Sequence, residues 1–162
     1  MATTDTLARD EVTTAHELIG GFIVRCSLLE YRASQLVARW FCAGQKQKYL
    51  SYVLHGMSFR QSRQIIEERL TAYHPDPQAL RGIMAEIQPL IERRDLVASG
   101  LLAKRRDGAG FCVKSHSGLR FLTAAGEEDI VDVGSLAKWS QKATNIADRL
   151  VRLGEQLRES AS

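Results

Sequence analysis

Two ionisable residues occupy positions where helical spacing calls for apolar side chains. Arg94 follows Ile87 by seven residues, Leu90 by four and Ile91 by three. At the angular step of an α-helix it falls inside that apolar stripe, while Arg93 points well away from it. A guanidinium does not lose its proton, so Arg94 needs an anionic partner or an open cleft. Glu30 is the counterpart on another apolar face, four residues after Cys26, three before Ala33 and seven before Val37. A carboxylate there must be paired or shifted toward its neutral form. The economical expectation is an ion pair between Glu30 and Arg94 across two helices; the alternative is that both side chains reach to the edge of their stripes.

The basic surplus is concentrated in one segment. Lys104, Arg105, Arg106, Lys114 and Arg120 stand against Asp107 alone in residues 101–126, a net of +4 in a chain whose total is +3. Such a segment is either a solvated hairpin or a patch that faces phosphate. Arg94, Lys104, Arg105, Arg106 and Lys114 are therefore the candidate anion- or RNA-binding residues. Phe111 and Phe121 are the aromatics of this segment, read as its inward face rather than as base-stacking platforms. His16, His55, His74 and His116 are scattered without metal-ligand spacing, so neither a metal nor a cofactor is expected. Phosphate-loop and dinucleotide-binding glycine patterns are absent from the sequence.

Several elements must carry these residues. The spacing of Ala15, Leu18, Ile19, Phe22, Cys26, Leu29, Ala33, Leu36, Val37 and Trp40 predicts one long helix from about Asp10 to Phe41. KYLSYVLHG reads as a short helix. Ser58 and Gln61 have capping-box spacing and open a helix with Phe59, Ser62, Ile66, Leu70 and Tyr73 inward. That helix must stop at Pro75 and Pro77. Asp76 followed by Pro77 starts the next one, whose stripe is Leu80, Ile83, Met84, Ile87, Leu90, Ile91 and Ala98. Pro89 predicts a kink or break inside it, and Gly100 its end. From 101 to about 133 the period changes to that of short strands around an Asp107-Gly108 turn. Ser135 is expected to cap the last helix. Its Leu136, Trp139, Ala143, Ile146, Leu150, Leu153 and Leu157 form a heptad seam that either packs within the chain or also seals a homodimer.

The chain as a whole reads as soluble and globular. Its 162 residues, 44% hydrophobic and 25% charged, suit one domain, with a pI near 8.9. No apolar run is read as a membrane span and no signal peptide is visible. Cys26, Cys42 and Cys112 show no Cys-x-x-Cys spacing, which fits reduced thiols in a cytoplasmic protein, and Cys26 reads as core. The expected fold is all-α: an antiparallel bundle of four to five helices over 1–162, with a β-hairpin-like appendage at about 101–125 inside a basic insertion spanning 101–133.

The stretch from Ile91 to Gly100, IERRDLVASG, resembles the signature of the HEPN superfamily. That signature is Arg, a polar residue, three further residues and His near the end of a helix. Arg94 matches the Arg and Asp95 the polar position; Leu96, Val97 and Ala98 match the apolar spacer, and Gly100 a Gly that often follows. Ser99 stands where the His belongs. The layout is also similar, with an acidic residue, here Glu30, on the inner face of a long first helix. The resemblance implies an all-α domain of the kind found in RNase toxins and abortive-infection systems, with the motif lining a dimer cleft. Metal-independent RNA cleavage needs a group that moves a proton at neutral pH. An imidazole does this, and a serine hydroxyl without its own base does not. Asp95 also places negative charge where a phosphate would approach.

The expected function is accordingly a catalytically degenerate HEPN-like domain that binds RNA or a partner protein, as a homodimer. One alternative is an active RNase toxin with displaced catalytic residues, for which His74 and His116 are the available imidazoles. The other is an unrelated helical homodimeric interaction module.

Overall fold

The computed structural model describes residues 3–41, 45–54, 56–104, 111–115 and 130–159. Within them the chain is mostly helical, in agreement with the all-α expectation. The helices are α1 (Thr3–Phe41), α2 (Gln45–Leu54), α3 (Phe59–Glu68), α4 (Pro77–Ser99) and α5 (Leu136–Glu159), with 3-10 turns at Leu70–Ala72 and Val133–Ser135. Three short stretches have extended pairing: β1 (Gly100–Lys104), β2 (Phe111–Ser115) and β3 (Ile130–Asp132), antiparallel in that order. The register sets Leu102 opposite Val113 and Val113 opposite Val131. The Asp107-Gly108 turn and residues 116–129 lie outside the described residues.

The helix starts follow from local chemistry. At α3 the Ser58 hydroxyl accepts from the Gln61 amide while the Gln61 side chain accepts from the Ser58 N–H at 2.9 Å, a complete capping box. At α4 the Asp76 carboxylate accepts from the Ala79 N–H at 2.9 Å, and Pro77 takes the first helical position, where its missing N–H costs nothing. The last helix starts at Leu136, directly after Ser135, as expected. Ser135 also ends the 3-10 turn, which is capped by Asp132, whose carboxylate accepts from Gly134 N–H at 3.0 Å.

Two side chains assigned to inner stripes lie on the surface. Tyr73 is 71% exposed, because α3 ends at Glu68 and the 3-10 turn resets the angular phase before it. On α4 the stripe closes on Val97, which is buried, and Ala98 is exposed. A seven-residue step drifts by about 20° from a straight helix's face, so the bulkier Val97 takes the inner position. α1 begins at Thr3, a turn and more before the expected Asp10. α4 runs through Pro89, which therefore does not break it. Of the α5 seam, Leu136, Ala143, Ile146, Leu150 and Leu153 are buried within the chain.

The chain divides into two compact units, Met1–Cys26 with Leu90–Gln141, and Ser27–Pro89 with Lys142–Ser162. α1, α4 and α5 each contribute to both. In the first unit Phe22 is fully buried, with its ring centroid 5.8 Å from that of Trp139. The Cys26 thiol, also fully buried, points at the Leu90 carbonyl at 3.8 Å, so Cys26 is core as expected. In the second unit Leu29, Leu36, Ile66, Leu70, Leu80 and Ile87 are fully or almost fully buried, and Arg149 of α5 pairs with Glu86 of α4 at 2.8 Å.

Candidate anion-binding site

The last turns of α4 present the Arg94 motif. The Arg94 side chain is 19% exposed, and its Nε donates to the Asp95 carboxylate at 2.8 Å. Asp95 is largely in water, at 66% side-chain exposure. The Ser99 hydroxyl donates to the Asp95 backbone carbonyl at 2.7 Å, one turn back along the helix. Arg93 lies with its guanidinium 4.3 Å from the centre of the Trp139 ring, a cation–π contact. Adjacent arginines thus have different tasks: Arg93 covers the aromatic ring, and Arg94 enters the helix flank.

This arrangement limits the chemistry. The hydrogen bond of Ser99 goes to an amide carbonyl, which is not a base that can activate a nucleophile. The Asp95 carboxylate meets part of the Arg94 charge that a phosphate would otherwise meet. Positions 94–99 thus present a partly neutralised cation and a hydroxyl turned back onto its own helix.

The remaining candidates divide as follows. Glu30 is half-buried and belongs to the second unit, while Arg94 belongs to the first. Lys104 and Lys114 are strand positions, opposite Phe111 and Leu101; their side chains, together with Arg105, Arg106, Arg120, His116 and Phe121, lie outside the described residues. His74 is not an available base. It is buried, its Nδ1 accepts from the Asp76 N–H at 2.9 Å, and this fixes the tautomer whose Nε2–H faces the Leu153 carbonyl at 3.3 Å. Both ring nitrogens serve to fasten the start of α4 to α5. No metal-binding group of His, Cys, Asp or Glu occurs among the described residues.

Two features of α1 were not anticipated. Its Asp10–Phe41 stretch is long and apolar enough to cross a membrane by length and composition, with a mean hydropathy of 1.2 in its best window. Core helices of soluble proteins and signal sequences meet the same criterion, so this property alone assigns no location. The second feature is a shallow cleft of the second unit, with a cavity of about 10 Å³, room for a single water, lined by Arg32, Gln35, Leu36 and Arg39 of α1 with Leu150 and Val151 of α5. The signal for it was present in the sequence: from Tyr31 to Ile66 there are six Lys and Arg residues and no Asp or Glu.

No known family model, curated protein or solved structure matches the chain.

Proposed function

We propose that this chain is a HEPN-like helical bundle that binds RNA without cleaving it, a degenerate member of a toxin or defence-type system. The observation that carries this reading is the pair of hydrogen bonds at the end of α4, Arg94 to Asp95 at 2.8 Å and Ser99 to the Asp95 carbonyl at 2.7 Å. They keep a guanidinium at the motif while its neighbours offer no proton shuttle. A guanidinium carries a permanent positive charge, and that charge at the end of α4 attracts phosphate. The basic residues Lys104, Arg105, Arg106 and Lys114 supply further positive charge in this reading. In this reading the protein is a cytoplasmic homodimer.

The test combines light scattering with RNA binding at low and moderate salt. A dimer is expected whose affinity for RNA falls with salt, as counterion release requires, and falls again in Arg94→Ala. A protein of any oligomeric state that ignores RNA, or binds it equally well after Arg94→Ala, would overturn the assignment of the motif.

A further inference from the structure

The second unit carries a cationic cleft that has no part in the α4 motif. Arg32 and Arg39 are seven residues apart on one face of α1, about 10 Å along its axis. Both are half-buried. Arg32 Nη1 donates to the Gln35 side-chain oxygen at 2.9 Å, and the Gln35 amide donates to the Tyr31 hydroxyl at 2.5 Å. Among the described residues neither arginine forms an ion pair with a carboxylate. Arg39 lies across α5 at Gly154, where an added Cβ would stand 2.8 Å from its Nη1 and 3.4 Å from Leu36 Cδ1. Glycine therefore makes room for this guanidinium. A cation held half out of water against Leu36, Leu150 and Val151, with no ion pair to a carboxylate among the described residues, is poised for an anion.

Beyond Arg39 the chain exposes aromatic side chains. Phe41 is 56% exposed and Tyr73 71%, joined through Trp40, whose ring centroid is 4.7 Å from Phe41 and 6.0 Å from Tyr73. α2 begins four residues after Phe41, so chain length alone keeps its start within about 14 Å. On α2, Tyr49, Tyr52 and Val53 have helical neighbour spacing and are 72%, 71% and 76% exposed. Lys46, one turn before Tyr49, is exposed as well. Exposed tyrosine rings in a stretch of chain with six Lys and Arg residues and no carboxylate between 31 and 66 match the demands of single-stranded nucleic acid. Arginines take its phosphates bidentately, and aromatic faces take its bases.

We infer that the Arg32–Arg39 cleft and the Tyr49–Tyr52 face of α2 form a binding surface for single-stranded RNA. This rests on the RNA-binding reading above and moves the main contact surface away from the α4 motif.

The experiment is fluorescence anisotropy of a labelled oligouridylate of about 16 nucleotides across a salt series. The full chain is compared with Arg32→Gln/Arg39→Gln, Tyr49→Ser/Tyr52→Ser and Arg94→Gln, each checked for an unchanged helical circular-dichroism spectrum. Both double variants are expected to lose at least about fivefold in affinity, the value of one stacked base at the lower limit. The arginine variant should also flatten the log–log salt slope by about 1.4, which the tyrosine variant should not do. Wild-type affinity in either double variant overturns the surface. Loss confined to Arg94→Gln overturns it too and leaves the motif reading standing. If the unmodified chain does not bind the oligonucleotide, both readings fall. Binding to phosphatidylserine-containing vesicles in its place would identify the face as a membrane-surface contact instead.

Discussion

Arg94 is shielded by its own neighbour. The Asp95 carboxylate lies 2.8 Å from Nε, and because Asp95 is 66% exposed the pair contributes at most about 1 kcal/mol to folding. Its influence on binding is greater, since an incoming phosphate meets like charge. Asp95→Asn is therefore expected to leave the melting temperature nearly unchanged while raising RNA affinity severalfold. An unchanged or lowered affinity would mean that Arg94 does not face the nucleic acid. His74 illustrates the opposite case, a residue type suited to chemistry and used for structure. Its ring joins the Asp76 N–H to the Leu153 carbonyl, both near the junction of α4 and α5. His74→Ala leaves those groups unpaired and should lower stability by about 2–4 kcal/mol, read as a shift in urea midpoint at constant slope. A loss below about 0.5 kcal/mol would show that water replaces the ring at no cost.

Among the elements, those with local causes were legible in the sequence. Ser58 and Gln61 are three residues apart and need nothing else to form a capping box; Asp76-Pro77 is similarly self-contained. The start of α5 at Leu136 was legible from Ser135, but the 3-10 turn before it, capped by Asp132, was not, because three residues carry no periodic pattern. The end of the α4 stripe was misread by one residue, because helical phase drifts over a long element and packing selects Val97 over Ala98. Gly154 could not be interpreted from sequence at all, since its meaning lies in Arg39, more than a hundred residues earlier. Gly154→Ala removes a helix-interior glycine, worth up to about 1 kcal/mol, and meets only the movable end of an arginine. It should hold or raise the melting temperature and weaken oligonucleotide binding by displacing the Arg39 guanidinium. A clear loss of stability would show instead that the Leu36 contact at 3.4 Å controls the site.

At the scale of the whole molecule, a modest net charge conceals strong segregation. Segment totals drew attention to 101–126, yet the run from 31 to 66 has no acid at all and is balanced by carboxylates elsewhere in the chain. The cleft becomes visible only when α5 is laid against α1 within the second unit, which no period or motif encodes. The Arg94 motif lies in the first unit and this cleft in the second.

The most direct measurement follows a labelled single-stranded RNA with the full chain, without divalent metal, by anisotropy and then by denaturing electrophoresis of the same samples. Binding without cleavage requires saturable binding that weakens as salt rises, with the RNA intact after prolonged incubation. RNA cut by the unmodified chain, or no binding even at low salt, would contradict it.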